Sequence, residues 1–280
     1  MQPVNESDIN SPIEIVSVEH LPEYVIGFPV YVAITVRTRP NVSVNALLFA
    51  DIIDLRESIG IEMVGPSGTI NYVPTPIIDE ETGAFGERLA AGESRRMLTD
   101  VSPLIGNTIT EGEYKVQFSY VTPQKGYKAN AVRIKFRKPN SAETALLTTV
   151  AENRPNFPNW ALWTTSPPPK PVSTVEIKPD NPLKLNLLLR HLFFGSEPLE
   201  RVDPNILNVL TDIFEPERNA LKAELYKIRK DQTNYERLKK QALSTTPGLS
   251  WWFKMLDDAD GAYLKTFRRE PAKPALPKEE

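Results

Sequence analysis

LAAGESRRMLTDVSPLIGNTITEGEYKVQFSY, residues 89–120, is the stretch whose reading decides the fold. It divides into two strands joined by an ordered crossover. Residues 88–98 read as a strand kinked at Ala91-Gly92, and Asp100-Val-Ser-Pro-Leu104 turns the chain back toward the core. Residues 110–120 read as the second strand. There Tyr114, Val116, Phe118 and Tyr120 alternate with Glu113, Lys115, Gln117 and Ser119, the period-two pattern of a half-buried strand. Tyr114 follows Glu111-Gly112-Glu113 at the strand's entrance. That position suits a tyrosine corner, whose hydroxyl bonds upstream backbone and pins a Greek-key crossover. An ordinary core tyrosine fits the same position.

Working outward, the N-terminal side carries more of the same pattern. Residues 13–20 alternate apolar and polar side chains and read as a strand, residues 21–29 as a connection. Residues 30–37 read as a strand with Val30, Val32, Ile34 and Val36 on one face. Residues 46–55 read as a strand with a bulge, a short helix being the alternative. Residues 61–64 and 69–73 flank Gly65-Pro-Ser-Gly68 as a hairpin, and residues 74–86 form an acidic loop. On the other side, Val132, Ile134 and Phe136 alternate with Arg133, Lys135 and Arg137 in a last strand. Seven or so short strands at this spacing predict an antiparallel β-sandwich over residues 1–139.

Beyond it the composition changes. A helix is expected from Pro139 to Val150, capped by Asn140 or Ser141, with Glu143 and Glu152 adding little. Residues 140–182 combine this helix with a strap containing Pro155, Pro158, Pro167, Pro168, Pro169, Pro171, Pro179 and Pro182, which is stiff and extended. Residues 183–270 predict a helical domain. Leu183–Phe194 is apolar nearly all round and ends at Gly195. Asp203-Pro204 caps a helix to Phe214. Glu215-Pro216 opens one long helix to about Leu243, its apolar stripe broken once at Gln232. Thr246-Pro247 opens a last helix, with Trp252, Leu256, Ala259, Tyr263 and Phe267 on one face. Residues 271–280 read as a disordered tail. The fold class is therefore α+β in two parts.

The run Leu89, Gly92-Glu-Ser94, Asp100-Val-Ser102, Leu104, Glu111-Gly-Glu-Tyr114, Val116, Phe118, Tyr120, then Asn130, Val132 and Ile134, resembles immunoglobulin-like sandwich domains of uncharacterised exported bacterial proteins. The resemblance covers roughly the first 140 residues. It implies a fold and a place outside the cytoplasm, periplasmic or secreted, and carries no site residues. The polar start MQPVNESDINSP has no basic or apolar signal region and looks like the beginning of a mature protein behind an added Met.

The bulk numbers exclude several classes. With 40% hydrophobic and 25% charged residues and a net charge of −3, no nucleic-acid partner is expected. There is no cysteine, so disulfides, thiolate metal sites and thiol catalysis are out. No window approaches the roughly 18 apolar residues of a membrane span. The only two histidines, His20 and His191, read as satisfied structural residues rather than ligands or bases. Ser67 sits in a turn and Ser94 at a strand edge, without a nucleophile elbow. Phosphate-cradling glycine motifs are missing. Asp257-Asp-Ala-Asp-Gly261 fails as a calcium loop because Leu256 and Phe267 fall at ligand positions. Asp79-Glu-Glu81 reads as a solvated turn.

The long helix holds a surplus of basic residues, Arg218, Lys222, Lys227, Arg229, Lys230, Arg237, Lys239 and Lys240, which reads as a solvated face before a face that touches phosphates or an acidic partner. Of the four tryptophans, Trp252 shares a helical face with leucine and reads as core. Trp160 and Trp163, on the proline strap, are the ligand-binding candidates, flat enough to stack on a glycan. These readings predict a non-catalytic protein-interaction or structural module without cofactor or metal. A glycan-binding accessory protein and a carboxylate-dependent hydrolase are the alternatives, the latter because paired acids leave no sequence signature.

Overall fold

The computed structural model describes residues 13–40, 44–48, 59–73, 87–105, 108–121, 126–152, 198–209 and 214–258. The fold is α+β: an antiparallel sheet, a mixed sheet and C-terminal helices. The strands are β1 Ile13–His20, β2 Glu23–Val25, β3 Tyr31–Thr38, β4 Val44–Leu48, β5 Ile59–Gly65, β6 Gly68–Tyr72, β7 Glu87–Leu89, β8 Ser94–Asp100, β9 Gly112–Val121, β10 Gly126–Lys128 and β11 Val132–Arg137. The antiparallel sheet runs β1-β3-β8, and the mixed sheet runs β2-β11-β9-β5-β6 with β10 paired to β9. β4 and β7 form a two-stranded ladder. Helix α1 is Ser102–Ile105 and α2 is Ser141–Glu152. Contacts gather in two compact units, one holding the strands, α1, α2 and the turn Thr246–Ser250, the other the remaining C-terminal helices.

The strands follow the alternation of their side chains, with three departures, the last being the unexpected three-residue β10, which pairs β9. The expected connection at residues 21–29 contains β2, which pairs in parallel with β11, Glu23 opposite Lys135 and Val25 opposite Arg137. Three residues are too few for a period-two pattern to declare itself. What holds β2 is Tyr24, buried with its ring 6.0 Å from Phe136. Its hydroxyl accepts the Leu21 amide at 3.0 Å and donates to the Tyr31 carbonyl. Burial pushes that hydroxyl's pKa well up. The second departure is the expected strand over 88–98. It is two strands in different sheets, because β7 pairs β4 while β8 pairs β3. Between them Glu93 closes a turn, accepting the Ala90 amide at 2.8 Å on its side chain.

The crossover from β8 to β9 is built from side-chain bonds to backbone. Asp100 accepts the amides of Val30 at 3.2 Å and Ser102 at 3.0 Å, together with the Ser102 hydroxyl, which starts α1. Tyr114 then forms the tyrosine corner. Its hydroxyl accepts the Thr110 amide at 3.0 Å, donates to the Thr110 carbonyl at 3.1 Å, and meets Ser67 Oγ at 2.8 Å. The ring stands edge-on to Phe136 at 5.5 Å. It also lies so close to Gly65 that a Cβ there would come within 2.3 Å of Tyr114 Cδ1. Gly112, at φ +142, brings the chain in beside Pro66. One tyrosine thus couples the crossover to the β5–β6 turn.

Helix α2 corrects another expectation. Glu143 is not neutral there: it accepts the Asn140 amide at 2.9 Å while Asn140 Oδ1 accepts the Glu143 amide at 2.9 Å, a reciprocal capping box. The same carboxylate takes both guanidinium nitrogens of Arg137, at 2.6 and 2.8 Å.

In the second unit, Asp203 caps a 3₁₀ turn, Pro204–Val209, through the Asn205 amide at 3.0 Å. The single long helix expected from Glu215 is two helices, α3 Glu215–Ile228 and α4 Gln232–Thr245. The break is a Schellman motif: the Asp231 amide bonds Tyr226 O and the Lys230 amide bonds Lys227 O, both at 2.9 Å. Lys230 sits at φ +61, where glycine is the usual occupant, so the sequence carries no stop signal. Asp231 caps α4 through the Asn234 amide at 3.1 Å. Leu221, Leu225, Ile228, Tyr235, Leu238 and Ala242 are buried as the stripe predicts. Helix α5, Ser250–Asp258, buries Trp252, Phe253 and Leu256. Among the described residues no helix is long and apolar enough to cross a membrane.

Candidate functional site

The residues singled out in the sequence are spent largely on architecture. Ser67 bonds the Tyr114 hydroxyl. His20 donates from Nδ1 to the Leu21 carbonyl at 2.7 Å, a satisfied strand-end histidine. Asp257, from the failed calcium motif, accepts the Tyr235 hydroxyl and Lys239 Nζ, each at 2.5 Å. Lys227 and Lys239 lie 5.4 and 5.6 Å from the centre of the Tyr235 ring. The basic surplus of the helices is therefore not a uniform solvated face. Two of its lysines hold Tyr235 and Asp257, Lys222 Nζ meets Asn208 Oδ1 at 2.7 Å, and Arg229 reaches the Val202 carbonyl at 3.3 Å. Burial, with Arg218 and Arg237 nearby, pulls the Lys222 amine below its ordinary range. Trp251 and Trp252 are buried, edge-on at 5.8 Å. Trp160, Trp163, His191 and the Asp79–Glu81 turn lie outside the described residues.

What remains open is the rim of the sheets. A sheet edge exposes unpaired N–H and C=O groups, and proteins blunt it with bulges, charge, brevity or cover. β1 carries a bulge between Ile15 and Ser17 that leaves Val16 48% exposed. It also carries Glu14, paired to Arg37 at 2.5 Å, and Glu19, paired to Arg96. The turn at Pro247–Leu249 lies against β8, where a Cβ on Gly248 would be 3.1 Å from the Arg96 amide nitrogen. β2 and β10 are three residues each. On β2, Glu23 holds Lys135 at 2.7 Å and Arg137 at 3.1 Å. The hydrogen bond from Lys135, with the charges of Lys135 and Arg137, outweighs burial and holds the Glu23 carboxyl below the usual range.

Among the described residues β6 has none of these devices. It pairs β5 over five consecutive residues with no register shift, from Gly65 opposite Gly68 to Ile61 opposite Tyr72. Among the described residues no strand pairs its other side, and α1, which comes near it, is a single helical turn. Residues 68–73 read Gly-Thr-Ile-Asn-Tyr-Val, without charge or proline. Thr69 and Asn71 are exposed. So are Val64, at 48%, and Val73, at 66%. The sequence predicts this hairpin but not that its second strand is a rim; the one advance signal is the lack of any charge from Gly65 to Val73. No protein-family model matches the chain, and no curated protein matches it significantly.

Proposed function

We propose that this chain is a non-catalytic protein-interaction module, an immunoglobulin-like sandwich with a helical extension, that takes up an extended strand of a protein partner along β6. The observation that carries this reading is the contrast between β6 and the other rims: β6 is regular, neutral and, among the described residues, has no second strand beside it, where they are bulged, charged, short or covered. Strand addition uses main-chain hydrogen bonds for affinity and alternate side chains for specificity. β6 supplies both, with its exposed Thr69 and Asn71 alternating with half-buried Ile70 and Tyr72. The strand order β2-β11-β9-β5-β6 and the tyrosine corner at the start of β9 support the sandwich assignment. Residence outside the cytoplasm is part of the proposal and rests on the family resemblance.

The test is titration of the full chain with a labelled hexapeptide, Gly-Thr-Ile-Asn-Tyr-Val, in the wild type and in Asn71→Pro. Binding that Asn71→Pro removes is the expected result. A monomeric wild-type chain that leaves the peptide free, or a variant that binds it equally, overturns the reading.

A further inference from the structure

Building on β6 as the accepting rim, we propose that its partner is β6 of a second copy of this chain, paired antiparallel about a two-fold axis through Ile70. The hairpin geometry sets which backbone groups are available. Gly65 and Gly68 flank a two-residue turn, and the pair closing such a turn is hydrogen-bonded. Alternation then directs the backbone groups of Gly68, Ile70 and Tyr72 at β5 and those of Thr69 and Asn71 at the open side. With Ile70 opposite its own copy, Thr69 of one chain faces Asn71 of the other, twice. The residues that meet as bonded pairs are therefore the two whose groups are free to bond.

The side chains agree with that register. Ile70 meets Ile70 in the non-bonded position, where opposing side chains come closest. Each Gly68 faces a Tyr72, and an aromatic ring over a strand glycine covers backbone that the glycine leaves bare. Thr69 and Asn71 are neutral hydrogen-bonding neighbours on the exposed face. The lack of charge permits a copy as partner. In this pair only Ile70 meets its own copy, but charges of one sign along the strand would still face one another across the axis and repel, and residues 68–73 carry no charge. The same operation on β1 would bring together strands that each carry Glu14 and Glu19.

Because the chain has no cysteine, one introduced thiol reads the register. Ile70→Cys should form a disulfide-linked dimer under mild oxidation about tenfold faster than Val73→Cys, since bridging needs Cβ atoms brought close. Exposure alone would favour Val73, at 66%. Light scattering of the unmodified full chain should give twice the monomer mass, falling to one in Asn71→Pro. Equal or faster crosslinking at position 73 overturns the register, and so the proposal. A monomeric wild type that still binds the hexapeptide overturns the second copy and leaves strand addition standing. A monomer that ignores the peptide removes both. The crosslinking comparison does not depend on how Asn71→Pro folds.

Discussion

Each unit is pinned internally by one buried tyrosine, Tyr114 in the first and Tyr235 in the second, and the two hydroxyls have different kinds of partner. At Tyr114 the partners are backbone and hydroxyl groups of Thr110 and Ser67. Burial there raises the hydroxyl's pKa, but the bonds from Ser67 and Thr110 outweigh it, and the net direction is down. At Tyr235 burial raises it too, and the next contribution, the hydrogen bond it donates to the Asp257 carboxylate, pushes the same way. The contrast shows how chemistry follows the partner rather than the residue. Donors around a phenol favour losing the proton, whereas a carboxylate acceptor needs the proton kept. It also separates a corner that fixes topology from a pin that fastens helices.

The largest effect should break this comparison at the corner. Tyr114→Phe leaves the Thr110 amide and carbonyl without their shared partner and should cost about 2 kcal/mol. Tyr235→Phe should cost less, because Asp257 keeps Lys239 at 2.5 Å. Amide exchange read separately in β9 and α4 assigns each loss to its unit, and equal costs would erase the distinction. Next, Lys230→Gly relieves a side chain held at φ +61 and should stabilise the helical unit by about 1 kcal/mol. No gain in urea midpoint would mean that the αL position is not strained. The smallest effect is on pH. Burial raises the Asp257 carboxyl's pKa, but the bonds from Lys239 and Tyr235, with the charges of Lys239 and Lys227, outweigh it and hold it below its ordinary value. A depressed folded-state pKa gives stability that is present above the unfolded value, about 3.9, and lost as pH falls through the folded one. Helical melts at about pH 6 and about pH 3 should therefore converge in Asp257→Asn relative to wild type.

The parts of the molecule legible in advance are those whose signal is local and repeated. The alternation in β9 and β11, the Gly-Pro-Ser-Gly hairpin and the helical stripe ending in Ala242 all meet that condition. The tyrosine corner was readable as one of two options, since its decisive partner, the Thr110 backbone, lies four residues upstream. The capping box at Asn140 was readable too, from Asn-x-x-Glu, yet Glu143 gains its weight from Arg137, which position alone does not reveal. β2 was hidden because a three-residue parallel pairing has no period. The break at Lys230 was hidden because a lysine stands where glycine announces such a stop. The open rim was hidden for a different reason. Whether a strand is central or peripheral depends on neighbours that are distant in the chain, and β5 and β9 meet across a gap of more than forty residues.

The parallel pairing of β2 with β11 has a mechanical consequence. The chain enters the mixed sheet through Glu23 and leaves it through Arg137, at opposite ends of the same three-residue seam. Tension drawn between the two ends pulls these strands lengthwise past each other. The three pairs then share the load together, rather than opening in turn like a zip, and the contacts of Glu23 with Lys135 and Arg137 cross the same seam.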